Sequence, residues 1–237
     1  MTSRPKTLVD ILRNIADSGD ATANLLLGYI SEKQEEGQIS KELAIEFYHR
    51  ALSGNIPLAG YLIGRLEAAR GNVDAANRHM VRAAEAGVAR AALIVGAGYA
   101  LNGEMTQKDL EAARFWLKKA CELGEIDAYR PLGDLEVRYG NATNAREIFR
   151  QGGGAGCAEC NVALARIVLE SDDDKADAVA LLTDAAGRGH PLAAHMLSAI
   201  LRSGVSGVPP NPIAGTAYQA LANVLLQREP KFPGTDK

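Results

Sequence analysis

The most reactive side chains of the sequence are two cysteines three positions apart, Cys157 and Cys160. Such a pair can contribute to a zinc site or exchange disulfides. However, a structural zinc site needs four ligands, and a thioredoxin-type pair follows a strand. The sequence has no second pair, and no strand pattern precedes this one. We therefore expect both residues and Cys121 to be small buried thiols, with a metal or redox role as the less favoured alternative.

The other candidate chemical groups form no recognisable site. The four histidines lack the spacing of a metal-binding motif, and the sequence contains no phosphate-binding loop and no Gly-x-Ser-x-Gly nucleophile motif. The acidic run 172–174 lacks the further oxygen ligands that calcium requires, so we interpret it as a solvated turn beside a helix N-terminus. The sequence therefore predicts a protein that is not an enzyme and that has no catalytic residues, metal site or cofactor.

Composition narrows the possible classes of protein. The 237 residues carry 26 basic and 29 acidic side chains, a net charge of −3, which argues against nucleic-acid binding. The apolar fraction of 47% excludes a disordered chain, although only 5% of residues are aromatic. No apolar run reaches the roughly 18 residues of a membrane span. The N-terminus does not resemble a signal peptide, so we expect a cytoplasmic protein, or a periplasmic one if the sequence is a trimmed mature chain.

A glycine that recurs at nearly regular intervals shows that the chain is a repeat array. These leading glycines are Gly19, Gly54, Gly87, Gly124, Gly156 and Gly189, separated by 35, 33, 37, 32 and 33 residues. With a one-residue insertion allowed in the second unit, each precedes a small residue at offset four and a large apolar one at offset eight, which share one face of a helix. Offset nine is always small, and we interpret it as a close contact between two helices. The residues there are Gly28, Gly64, Gly96, Gly133, Ala165 and Ser198.

A second helical pattern completes each unit before the next glycine, which lies where a helix C-cap belongs. Ala113, Trp116 and Ala120 show this pattern most clearly. The predicted fold is all-α, with six antiparallel helical hairpins that bury their apolar faces by stacking. The predicted organisation is an N-terminal capping helix at 5–17, a repeat region at 18–225 and a tail at 229–237. The repeats are expected near 18–51, 52–84, 85–121, 122–153, 154–186 and 187–225.

Two departures from the repeat lead to specific expectations. Pro131 lies inside the expected first helix of the fourth unit and predicts a late helix start or a kink. The run 152–154 is three glycines at the end of a second helix. We expect that helix to fray early and to form a soft joint between the fourth and fifth units.

The third unit, 87–124, resembles the Sel1-like repeat, a relative of the tetratricopeptide repeat. The resemblance is carried by Ala91, Gly96, Tyr99, Gly103, Asp109, Ala113, Trp116, Lys119, Ala120 and Gly124. It is good in the first and sixth units and degraded in the second, fourth and fifth. It implies a right-handed α-solenoid that acts as an adaptor for other proteins, without a shared catalytic centre.

In solenoids of this kind the first helices line a concave groove, and offsets six, ten and thirteen are expected to point into it. The candidate partner-binding residues there are Tyr29, Tyr61, Arg65, Leu93, Arg130, Asp134, Arg166, His195 and Arg202. Tyrosine and arginine commonly anchor protein interfaces, and an arginine series could bind the carboxylates of an acidic peptide. The alternative is a solvated groove with ordinary ion pairs within a helix, such as Arg130 with Asp134.

Three functions remain open from the sequence. The favoured one is a non-enzymatic adaptor or scaffold, bacterial by resemblance, that holds a partner protein in the groove. The second is an immunity or inhibitor protein for a specific secreted effector. The third and most remote is a hydrolase acting on cell-wall or β-lactam compounds. The partner and the oligomeric state are not specified by the sequence.

Overall fold

Helices account for most of the chain that the structure describes. A computed structural model describes residues 7–33, 38–101, 105–171, 175–205 and 207–228. These ranges contain thirteen α-helices, one 3-10 helix and a single isolated bridge between Val205 and Val208, without a strand. The prediction of an all-α fold is confirmed. The acidic run 172–174, Gly103 and the predicted tail 229–237 lie outside the described residues.

The chain divides into two compact units, Met1–Glu125 and Ile126–Lys237. The division lies between the third and fourth predicted repeats. The helices of the first unit are α1 Leu8–Asp17, α2 Ala21–Lys33, α3 Gln38–Ser53, α4 Pro57–Ala69, α5 Val73–Glu85, α6 Ala89–Leu101 and α7 Gln107–Glu122. Those of the second unit are α8 Tyr129–Arg138, α9 Ala142–Ala155, α10 Ala158–Glu170, α11 Lys175–Gly187, α12 Pro191–Ser203 and α13 Pro212–Arg228.

Each unit is a stack of three helical hairpins. In the first unit the hairpins are α2 with α3, α4 with α5 and α6 with α7, and α1 packs on α2. In the second unit they are α8 with α9, α10 with α11 and α12 with α13. Within a unit the second helix of one hairpin also contacts the first helix of the next, so every buried apolar face is shared between neighbours. Each unit is therefore a short α-solenoid. No helix in the described residues is long and apolar enough to cross a membrane.

The leading glycines end the helices as the sequence predicts, with one exception. Gly19, Gly87, Gly124, Gly156 and Gly189 have φ between 86° and 105°, a left-handed conformation that favours glycine. In the second repeat this conformation falls instead on Asn55, with φ 63°. Asparagine tolerates it better than most residues. Because the left-handed residue lies one position later than the leading Gly54, the second repeat needs the one-residue insertion.

The small residues at offset nine lie where two helices of one hairpin approach most closely. A Cβ added to Gly28 would lie 2.5 Å from the ring of Tyr48, and one added to Gly133 would lie 2.2 Å from that of Phe149. At Gly96 the same atom would lie 2.8 Å from Leu117. The predicted close contact is confirmed at these positions, because no larger residue would fit without moving the second helix.

The two departures from the repeat have different outcomes. The helix containing Pro131 starts late, as expected, since a 3-10 turn over Ile126–Ala128 precedes α8 and the proline falls in the first turn. The expectation that the triple glycine would fray its helix is wrong, because α9 continues to Ala155. Gly152 and Gly153 make room for neighbours: added Cβ atoms would lie 2.7 Å from Cys160 Sγ and 1.9 Å from Asn161 Oδ1.

Candidate functional site

The exposed side of the first helices in unit 1 carries the predicted groove residues of that unit. We call the exposed and half-buried side chains of α2, α4 and α6 the unit 1 first-helix surface. Tyr29 on α2 and Arg65 on α4 are exposed, whereas Tyr61 on α4 and Leu93 on α6 are half-buried. The Lys33 ammonium lies 5.6 Å from the centroid of the Tyr29 ring. An exposed tyrosine with an adjacent cation can contact both apolar and charged groups of a partner.

Glu32 links three helices of unit 1. It accepts a hydrogen bond of 2.9 Å from the Tyr48 hydroxyl on α3 and forms an ion pair with Arg65 on α4. Its own side chain is only 14% exposed, so these two partners meet the polar demand of a largely buried carboxylate. Arg65 was predicted as a groove cation, but its charge is already balanced within the protein.

The same environment changes the pKa of the Tyr48 hydroxyl. Burial raises its pKa above the ordinary tyrosine range, and the hydrogen bond to the Glu32 carboxylate raises it further. Ionisation would place a second negative charge beside Glu32 in a poorly solvated position. Tyr48 therefore acts as a hydrogen-bond donor and as a packing residue against Gly28, with no sign of the activated phenol that catalysis would need.

In unit 2 the predicted Arg130 and Asp134 interact with each other. The Arg130 Nε donates to both carboxylate oxygens of Asp134, at 2.9 and 2.8 Å, within one turn of α8. The same guanidinium donates to the backbone carbonyl of Glu159 on α10 at 3.3 Å and lies 6.0 Å from the Phe149 ring. The alternative of an ion pair within a helix is therefore correct for these two residues. Arg130 also joins two neighbouring hairpins.

Arg166, His195 and Arg202 form the remaining part of the predicted site in unit 2. All three are exposed on α10 and α12. Within the described residues, neither Arg166 nor Arg202 has an ion-pair partner. The stem of Arg202 packs on α13, where a Cβ added to Gly215 would lie 2.5 Å from Arg202 Cγ. We call Arg166, His195 and Arg202 the unit 2 basic surface, the part of the predicted groove whose cations have no internal carboxylate.

Two histidines in unit 1 lie close together without forming a metal site. The rings of His49 and His79 have centroids 5.6 Å apart in an edge-to-face arrangement. Burial lowers the pKa of His79, and the neighbouring His49 and Arg82 lower it further. Among the described residues no group of three or more His, Cys, Asp or Glu side chains could hold a metal ion. His79 is half-buried in a helix-packing position, as the repeat pattern predicts.

Cys157 and Cys160 are buried as predicted, whereas Cys121 is only half-buried. The expectation of free thiols is wrong for the first two, because they are bonded to each other. Cys157 and Cys160 form a disulfide with a Cα–Cα distance of 5.3 Å. Cys121 is a free thiol, and burial raises its pKa to about 11. The repeat pattern identified the buried position of Cys160 but did not predict the bond. The signal that could have found it is the Cys-x-x-Cys spacing at the start of a helix.

The family of the chain follows from the repeat signature together with this packing. A family model, described as Sel1 repeat, matches residues 21–55, 89–125 and 191–218. These segments contain the first, third and sixth repeats, where the sequence shows the family pattern best. The chain contains Sel1 repeats at these three segments. The matched segments are α2 with α3, α6 with α7 and α12 with the start of α13, so Sel1 repeats occur in both units.

Solved structures resemble this chain over most of its length. A Sel1 repeat protein from Oxalobacter formigenes is 25% identical with a TM-score of 0.69, and the match covers 87% of this chain and 86% of that one. An immunity protein from Pseudomonas aeruginosa is 17% identical with a TM-score of 0.56, covering 98% and 87%. A second immunity protein from that organism is 16% identical with a TM-score of 0.51, covering 86% and 81%. The likeness to the immunity proteins concerns the fold alone. No curated protein matches the sequence.

Proposed function

We propose that this protein is a non-enzymatic adaptor or scaffold that holds a partner protein against the first helices of its hairpins. The observation that supports this most is the unit 2 basic surface. Arg166 and Arg202 lie on consecutive first helices, where both are exposed and neither has a carboxylate partner among the described residues. Arginine is enriched where protein interfaces bind strongly, and its planar guanidinium binds carboxylates with two hydrogen bonds. The partner segment at this surface is acidic.

The unit 1 first-helix surface has a different character and complements this proposal. Its exposed residues include Tyr29 and Leu26, while Arg65 is neutralised by Glu32. A surface of tyrosine and aliphatic side chains binds through apolar contact and tyrosine hydrogen bonds. Unit 1 therefore offers contacts for apolar or aromatic residues of a partner, whereas unit 2 offers contacts for acidic ones.

The test is an affinity purification from the source cell with the full chain as bait. The double charge reversal Arg166→Glu with Arg202→Glu is compared with the wild type and with a matched control, Lys41→Glu with Arg78→Glu. The control changes the same amount of charge at exposed positions on α3 and α5. We expect one or more specific partners to be recovered by the wild type and the control and lost with the basic-surface variant. Equal recovery of every partner by all three baits would refute the proposed surface.

A second candidate function is inhibition of a secreted effector. The fold likeness to two immunity proteins of Pseudomonas aeruginosa is the observation that supports it. In this case the partner would be the product of a neighbouring gene and would be toxic when produced alone. Each neighbouring gene is expressed with and without this protein. Rescue of growth by the wild type would support an immunity role, and absence of toxicity in every neighbouring product would remove it.

A further inference from the structure

The disulfide between Cys157 and Cys160 lies at the start of α10, and neither cysteine belongs to the proposed binding surface. Cys157 is the N-cap residue of α10, and its sulfur accepts a hydrogen bond of 3.1 Å from the backbone N–H of Cys160. The two residues are therefore held together by the turn that starts the helix. A helix N-terminus stabilises negative charge on the first sulfur of a Cys-x-x-Cys pair and so promotes thiol–disulfide exchange, whereas burial of the sulfurs slows it.

The surroundings of the pair are closely packed and mostly apolar, and the Glu159 carboxylate lies 4.0 Å from the Cys157 sulfur. Cys157 is 4% exposed and Cys160 is fully buried, in one cluster with Phe149 and Leu164. Gly152 of α9 supplies the space for Cys160, since a Cβ on that glycine would lie 2.7 Å from the sulfur. Two separate thiols need more room than one disulfide, and a close-packed interior resists added volume. The oxidised pair therefore fits the contact between α9 and α10 better than the reduced pair would.

We propose that Cys157 and Cys160 form a reversible thiol–disulfide site whose substrate is a dithiol reductant, and that reduction loosens the contact between α9 and α10. A thiolate of the reductant attacks the Cys157 sulfur, the less buried of the two, and forms a mixed disulfide with it. The bond between the cysteines breaks, and the Cys160 sulfur leaves and takes up a proton. The second thiol of the reductant then attacks the reductant sulfur of the mixed disulfide. The bond to Cys157 breaks, and the Cys157 sulfur leaves and takes up a proton. Two electrons and two protons pass from the reductant, which becomes a disulfide, to the cysteine pair.

This site is independent of the proposed binding surface in its chemistry but lies in the same unit. Cys160 belongs to α10, the helix that carries Arg166. Gly153 packs against the side chain of Asn161, which donates a hydrogen bond of 2.8 Å to Asp184 of α11. Loosening the start of α10 therefore disturbs the seating of this helix between α9 and α11. The oxidation state of the cysteine pair therefore controls the free energy of unfolding of unit 2.

The test measures the number of reactive thiols and the thermal stability of the full chain. After mild oxidation, alkylation in denaturant is expected to modify Cys121 alone, a single adduct by intact mass. After incubation of the folded protein with dithiothreitol it is expected to give three adducts, and re-oxidation should restore one. The reduced protein should unfold about 2–4 °C below the oxidised one. Because Cys121→Ser leaves the pair intact, it should keep this difference.

A second variant keeps the proposal testable if reduction has indirect effects. Cys157→Ser with Cys160→Ser should unfold near the temperature of the reduced protein and should not respond to dithiothreitol. Three adducts after oxidation would show that no disulfide forms. A pair that stays oxidised in dithiothreitol until the protein is denatured, or oxidised and reduced forms with the same unfolding temperature, would likewise overturn the proposal.

Discussion

Among the described residues, the arginines of the first-helix surfaces divide into those that form ion pairs within the protein and those that we propose for partner binding. Arg65 and Arg130 belong to the first group, because each forms an ion pair within its own unit. Arg166 and Arg202 belong to the second. The pairing of Arg130 with Asp134 could be anticipated from the sequence, since the residues are four apart on one helix. That of Arg65 with Glu32 could not, because it depends on how two hairpins are aligned.

Glu32 provides a prediction at this scale. Replacing it with alanine removes the acceptor of the Tyr48 hydroxyl and the ion-pair partner of Arg65 in a largely buried position. We expect the free energy of unfolding to fall by about 1–3 kcal/mol, since a buried donor is left without a partner. Urea denaturation followed by circular dichroism measures it.

The matched control for this prediction is Glu46→Ala. Glu46 forms an ion pair with Arg50 one turn away, and both side chains are at least half exposed. Exposed pairs of this kind contribute about 0.3–0.5 kcal/mol. An equal loss of stability in the two variants would show that Glu32 is no more than another surface carboxylate.

At the scale of elements, the hairpin contacts were the best predicted part of the structure and the triple glycine was the worst. The small residues at offset nine predicted the close contacts of Gly28, Gly96 and Gly133 from the sequence, because the same packing position recurs in every repeat. The glycines at 152–154 follow no repeat. Their role depends on Cys160 and Asn161 of the next helix. Helix propensity describes only the helix that contains the glycines, so it does not predict this role.

The triple glycine allows a prediction in which neighbouring residues serve as control. Gly153→Ala places a methyl group against the Asn161 side chain and should lower the free energy of unfolding by about 1–3 kcal/mol. Gly154→Ala meets no atom within 4 Å and should raise it by up to about 1 kcal/mol, because alanine favours the helix. Thermal unfolding of both variants is the measurement. Stabilisation by both would mean that α9 and α10 are not in close contact.

At the scale of the molecule, the repeat pattern predicted the class of fold and the Sel1 repeats, whereas we infer the chemistry of the partner from the ion pairs of the structure. Composition and leading glycines specify stacked hairpins because every repeat must bury the same faces. The proposed binding surface is not under that constraint, so its residues differ from repeat to repeat. Among the described residues, two of the four predicted groove arginines, Arg65 and Arg130, have ion-pair partners, and the other two have none. We therefore base the proposed surface on the pair on α10 and α12.

Partner binding through Arg166 and Arg202 is tested most directly by the dissociation constant of a purified partner for the full chain. Isothermal titration calorimetry measures it. With Arg166→Glu and Arg202→Glu together, affinity should fall at least about tenfold, with the heat-capacity change on binding largely retained, because two attractive contacts become repulsive while apolar burial continues. The Lys41→Glu and Arg78→Glu control should bind as the wild type does. An unchanged dissociation constant in the basic-surface variant would contradict the account.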